Sequence, residues 1–176
     1  MSVYLAELKK LGFVGVQNSP TVVVIDGHFR QHLEETGMGY HWEVEMIQIA
    51  HWHGLITIAY VFSSYDAIQM AKDGADIVVA HAGLTNSVSM EAKTSRSLED
   101  CVGFVQRICD AACSVNPKIL VLCHGGPIVR PSDAQYVLSR TKGVHGFFGE
   151  SSMERLPVEM AIQENANAAE FKRLRE

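Results

Sequence analysis

The chain has no surplus of positive charge: 15 Lys and Arg stand against 20 Asp and Glu, a formal net charge of -5. Without a basic face it offers no electrostatic footprint for a polyanion, which argues against nucleic acid and against an anionic membrane as partners. It also lacks any apolar run near the roughly 18 residues that a membrane span requires. Its first ten residues, Met1 to Lys10, mix acid and base in an amphipathic pattern unlike a secretory signal. Cysteine is sparse as well. Cys101, Cys109, Cys113 and Cys123 form no C-x-x-C pair. Three fall on apolar positions of a helical pattern and the fourth ends a strand, the distribution of reduced thiols in a cytoplasmic protein.

What is present is apolar: 47% of 176 residues, with 20% charged, enough for one globular domain over residues 1–176 with a sizeable core. Short β-branched runs alternate with helical patterns. Strands are expected at Phe13–Asn18, Leu55–Val61, Asp76–His81, Lys118–His124 and Gly143–Gly149. Helices are expected at Trp42–His53, Ser64–Asp73, Leu98–Val115 and Ser132–Arg140, with a last one from Pro157 onward. Leu98, Cys101, Val102, Val105, Ile108, Cys109 and Ala112 follow the 3.6-residue period and predict one apolar stripe. Ile77-Val-Val-Ala80 and Ile119–Cys123 are apolar throughout, as strands buried on both faces are. The fold class is therefore α/β with a parallel sheet.

Connections differ by direction. Helix-to-strand returns are tight, as at His53-Gly54 and Asn116-Pro117, whereas the strand-to-helix segments 19–41 and 82–97 are long. Long loops at one end only are the habit of a (β/α) barrel, whose site lies at the carboxyl ends of its strands. The chain opens on a helix with Tyr4, Leu5, Leu8 and Leu11 on one face, stopped by Gly12. Five strands cannot close a barrel of eight. Either the sheet is open and doubly wound, or the chain is part of a larger barrel.

From Gly12 to Glu159 the chain resembles the phosphoenolpyruvate hydrolase-like TIM-barrel family, a domain that is also the C-terminal part of plant Tm-1-like proteins. The resemblance is carried by Gly12–Asn18, Ile25-Asp26-Gly27, Leu33–Tyr40, Glu43-Val-Glu45, Tyr60-Val-Phe62, His124–Ile128 and Gly146–Glu159. It implies a partial TIM barrel, with five parallel strands and alternating helices corresponding to the last five of eight βα units, the first three being absent. It implies hydrolysis or lyase-type cleavage of a phosphoenolpyruvate-like small anion. The Tm-1-like architecture implies an alternative, a non-catalytic interaction domain. An exposed sheet edge calls for a second copy or a companion domain.

Placed on a barrel, Asn18, Tyr60, His81, His124, Ser151 and Ser152 ring one mouth. His81 and His124 are the candidates for moving protons, and Asn18 for orienting substrate. Gly125 and Gly126, whose missing side chains admit a ligand to the backbone, join Ser151 and Ser152 as the anion-binding set. Pro157 is expected in the first position of the helix behind that set. Arg155 either adds charge-assisted bonds to the anion or makes a surface salt bridge. Glu150 departs from the small residue that relatives carry there, and it opposes an anion unless it faces away or binds metal. Asp26, Glu34 and Glu35, in a segment with the length of a lid or subunit contact, suit Mg²⁺ by their oxygen chemistry. His51-Trp-His53 reads as a helix end.

Overall fold

Each β-branched run pairs with the next one in the chain. The computed structural model describes residues 1–85 and 96–167. Its strands are β1 (Gly15–Gln17), β2 (Ile56–Val61), β3 (Ile77–His81), β4 (Leu120–His124) and β5 (Gly146–Phe147), all parallel and in the spatial order β1-β2-β3-β4-β5. A doubly wound sheet reverses its order at a switch point. This one steps in a single direction, and right-handed crossovers taken in one direction put every helix on the same side. Of the two architectures open to the sequence, the chain therefore forms the singly wound one, a five-stranded sector of barrel type.

The helices are α1 (Ser2–Lys10), α2 (Gly27–Glu35), α3 (Tyr40–Trp52), α4 (Ser64–Lys72), α5 (Leu98–Val115), α6 (Pro131–Leu138) and α7 (Arg155–Asn167). Ala59 and Val61 of β2, Val78 and Ala80 of β3, and Val121 and Cys123 of β4 point toward them and share one core with Met70, Val105 and Ile108. The intervening residues face the other way, because side chains alternate along a strand. That second face is less covered: Ile56 and Leu120 are 49% and 44% exposed. It is the face that a closed barrel turns inward.

The expected stripe of α5 is buried at Cys101, Val105, Ile108, Cys109 and Ala112, with Phe104 beside it. Its start is fixed by a capping box, in which Ser97 accepts from the Asp100 amide while the Asp100 carboxylate accepts from the Ser97 amide. α1 ends as expected, with Gly12 at φ +94° and the Phe13 amide bonded back to the Leu8 carbonyl. Its apolar face is narrower than its sequence suggests. Leu5 and Leu8 pack on Val16, Ala50 and Leu55, while Tyr4 and Leu11 are exposed.

Both outer strands are shorter than expected, at three and two residues, since each pairs on one side only. The segment 19–41 is not plain loop; it holds a 3₁₀ turn at Val22–Val24 and the whole of α2. Residues 86–95 of the other long connection, and the end of the last predicted helix beyond residue 167, lie outside the described residues. Among the described residues no helix is long and apolar enough to cross a membrane. The four cysteines are free thiols, and burial pushes those of Cys101 and Cys123 up to about 11, where they stay protonated and unreactive.

Ile108 of α5 is almost fully buried in the core that the helices share with the sheet. Ile108→Ala should lower unfolding free energy by about 2–5 kcal/mol, read as a shift in the urea midpoint at unchanged slope.

Candidate functional site

The site begins with a register. β3 and β4 pair so that His81 lies directly opposite His124, each the last residue of its strand. Period-two alternation then points both imidazoles to the same face, and their ring centroids are 4.8 Å apart in an edge-on arrangement. Tyr60, one residue before the end of β2, completes the group at 4.9 Å from His81 and 5.4 Å from His124. Phe62 stacks on His81, and Phe148 meets the edges of Tyr60 and His124. Tyr60, His81 and His124 border a cleft of about 160 Å³ that Ser19, Thr21, Leu84, Glu150 and Ser151 also line.

Hydrogen bonds assign the tautomers. His81 Nδ1 accepts from the Gly83 amide at 3.2 Å, so in the neutral ring the proton sits on Nε2. Burial, reinforced by the neighbouring His124, pushes His81 down to about 4 and keeps it neutral. His124 Nδ1 lies 2.8 Å from the Phe148 carbonyl, which can only accept, so this nitrogen carries a proton. Its Nε2 is 3.2 Å from Glu150 Oε2, and a bond there needs one further proton held between the two. The Tyr60 hydroxyl donates to the same Glu150 oxygen at 2.5 Å. Burial first, and then that carboxylate, raise the Tyr60 pKa above its ordinary value, so the phenol stays a donor.

Asn18 reaches the mouth but is committed elsewhere. Its Oδ1 accepts from the Tyr60 amide at 2.7 Å, and its Nδ2 donates to Glu43 Oε2 at 2.7 Å and to the Tyr60 carbonyl at 3.3 Å. Both ends of its amide are thus engaged in fixing β2 to the end of β1. Tyr40 adds a bond from its hydroxyl to the same Tyr60 carbonyl at 2.8 Å. Glu43 also accepts from the Val22 amide, and its pKa is raised by burial, against the pull of these donors. Glu43 and Tyr40 were legible only as parts of recurring segments, since nothing in their spacing marks them as supports of Tyr60.

The expected anion set is divided. A Cβ on Gly125 would lie 2.3 Å from the Gly83 carbonyl oxygen, and one on Gly126 would lie 3.0 Å from that of Ala82. Both glycines have positive φ, +76° and +57°, and the Gly126 amide donates to the Gly83 carbonyl at 2.8 Å. What approaches their backbone is the loop after β3, not open space for a ligand. Ser151 lines the cleft, as expected. Ser152 does not; its hydroxyl and amide both donate to the Gly149 carbonyl, and it borders a separate apolar hollow with Ala134, Leu138 and Phe147. The helix behind starts at Arg155 and not Pro157, after a 3₁₀ turn at Glu150–Ser152 whose following amides bond to Glu150. Arg155 forms the surface salt bridge, at 2.7 Å to Glu159, and also reaches the Thr85 carbonyl. The acidic residues before α3 gather no cation site: Glu34 is paired with Arg30. Among the described residues no three His, Cys, Asp or Glu side chains come together as metal ligands.

Imidazoles and a phenol collected at the carboxyl ends of a singly wound parallel sheet define a barrel-type α/β domain with an enzyme-like mouth. Comparison with known sequences then fixes the kinship. The chain belongs to the phosphoenolpyruvate hydrolase-like family, whose sequence profile matches residues 1–174. It is 60% identical over 162 residues to two proteins of Solanum lycopersicum, the ToMV susceptible protein tm-1(GCR26) and the ToMV resistance protein Tm-1(GCR237). Each match covers 92% of this chain and 22% of the tomato protein. A putative transcriptional regulatory protein, y4pA of Sinorhizobium fredii, is 31% identical over 166 residues, 93% of this chain and 27% of that protein. The chain thus spans about a fifth to a quarter of the length of these curated relatives.

His81 makes stability sensitive to acid. Its folded-state pKa of about 4 lies below the ordinary 6.5, so its contribution is complete above pH 6.5 and is lost as pH falls through about 4. The full loss corresponds to about 3 kcal/mol. The stability difference between wild type and His81→Gln, from urea titrations at pH 7.5 and pH 4, should shrink toward the acid end by that order. An unchanged difference would show that His81 titrates normally.

Proposed function

We propose that this domain supplies the strand-end face of an enzyme site for a phosphoenolpyruvate-like small molecule, carboxylated or phosphorylated, which it cleaves by hydrolysis or a lyase-type reaction. One observation carries the reading: two histidines in direct register, joined by a tyrosine, border one cleft at the carboxyl ends of adjacent parallel strands. In this scheme His81, neutral and protonated at Nε2, donates to the substrate oxygen that gains charge as the bond breaks. A neutral imidazole is suited to that step, since it donates without bringing a fixed positive charge. His124, whose Nε2 faces the same cleft, is the second group placed to move a proton. Ser151 is the one member of the expected anion set positioned beside the cleft.

A second reading, a non-catalytic interaction domain, is favoured by a specific feature. Asn18 is bonded to Glu43 and the Tyr60 backbone, the Tyr60 hydroxyl to Glu150, and Glu150 lies 3.2 Å from His124, so much of the mouth is engaged within the chain itself. The partly exposed residues Ile56 and Leu120, on the face away from the helices, would then pack against a second copy or a companion domain.

The two readings separate on binding and turnover. Under the enzyme reading, calorimetric titration with phosphoenolpyruvate shows saturable binding, and pyruvate appears on incubation. His124→Ala and His81→Ala should each lower turnover by roughly 10²–10⁴-fold while the circular dichroism spectrum is retained. No heat and no pyruvate from wild type would leave the interaction domain standing.

A further inference from the structure

Two side chains in the mouth, on separate strands, converge on a single oxygen. The Tyr60 hydroxyl of β2 and Nε2 of His124 on β4 both meet Glu150 Oε2, at 2.5 and 3.2 Å. That oxygen arrives from the turn after β5, on a side chain only one-third exposed. Glu150 is also the one non-glycine residue with positive φ among the described residues, at +31°. L side chains seldom adopt that backbone conformation, so the bonds hold Glu150 in place against its own preference. The free space left beside it, about 160 Å³, is below the roughly 300–1,000 Å³ of common ligand sites. A carboxylate already fills the part of the mouth where donors are densest.

We propose that Tyr60 and His124 form a carboxylate-binding subsite, that Glu150 occupies it as an internal ligand, and that a small-molecule carboxylate binds by displacing the Glu150 side chain. Charge separates carboxylate from phosphate. Among the described residues, no lysine or arginine lines the cleft. Exchanging one carboxylate for another leaves the charge beside Tyr60 and His124 unchanged, whereas a phosphate dianion adds a negative charge that no lysine or arginine among the described lining residues meets. This inference rests on the reading of the mouth as a small-anion site. It adds the orientation, with the substrate's carboxylate against Tyr60 and His124 and its other end toward Ser151.

The test is calorimetric titration of the full 176-residue chain with pyruvate and, separately, with inorganic phosphate. Glu150→Gly removes the internal ligand and tolerates the positive φ, so it should fold, which a thermal melt verifies. It should bind pyruvate about tenfold or more tighter than wild type, because the competing state is gone. Glu150→Gln keeps an acceptor oxygen in the same place and should remain near wild type. The double variant Tyr60→Phe with Glu150→Gly should lose the gain. Equal pyruvate affinity in wild type and Glu150→Gly, or a gain for phosphate alone, overturns the internal-ligand proposal while leaving an anion site in the mouth. Absence of binding by either anion to every variant overturns both.

Discussion

The pairing of His81 with His124 across β3 and β4 is the constraint on which the site depends. Parallel strands in register place residues of equal height side by side, and alternation sends both to one face. The imidazoles therefore meet without help from any loop. Burial follows, because Tyr60, Phe62 and Phe148 close around two rings that are already together. The low basicity of His81 follows in turn from that burial and from the second imidazole beside it. A one-residue slip of β4 would turn His124 toward the helices and Cys123 toward the mouth, and the site would vanish as a unit.

Around this pair the molecule spends its polar groups on holding backbone. Asn18 behaves as an added rung between β1 and β2, taking the amide and the carbonyl of Tyr60 with the two ends of one side chain. Glu43 of α3 holds Asn18, and Tyr40 of the same helix holds the Tyr60 carbonyl again. The Tyr60 amide and carbonyl are thus both held where β2 ends, while the buried Nε2 of neighbouring Gln17 is left without a hydrogen-bond partner among the described residues. The rings that face the cleft are those of His81, His124 and Tyr60, with Glu150 set beside the last two.

Much of the architecture was legible because it rests on periodicity. The α5 stripe, the all-apolar runs of β3 and β4, and the stop at Gly12 all appear where pattern and capping chemistry place them. Periodicity left the winding of the sheet open, since alternation of strands and helices is common to singly and doubly wound folds; the family resemblance pointed to the barrel type, and the spatial order agrees with it. In the site, the two histidines could be found from their position directly after apolar runs. Asn18, Gly126 and Ser152 could not be judged, because whether a polar group or a bare backbone is free depends on partners distant in the chain: Tyr60 for Asn18 and Gly83 for Gly126. Glu150 stood out in the sequence as a charge in the wrong place for an anion site. Its contacts with Tyr60 and His124 explain why it is tolerated.

The seam between the loops after β3 and β4 bears on how such a domain can change over time. Gly125 and Gly126 press main chain against main chain at Ala82 and Gly83, with a hydrogen bond from the Gly126 amide to the Gly83 carbonyl. Part of the rim is thus cast in peptide units, which every sequence possesses. Side chains elsewhere on the rim can drift, and with them the choice of bound molecule, while the distance between the two loops stays put. Insertions at the seam are the change it does not absorb. A lineage carrying this seam is free to diversify in chemistry and bound to conserve loop length at that one place.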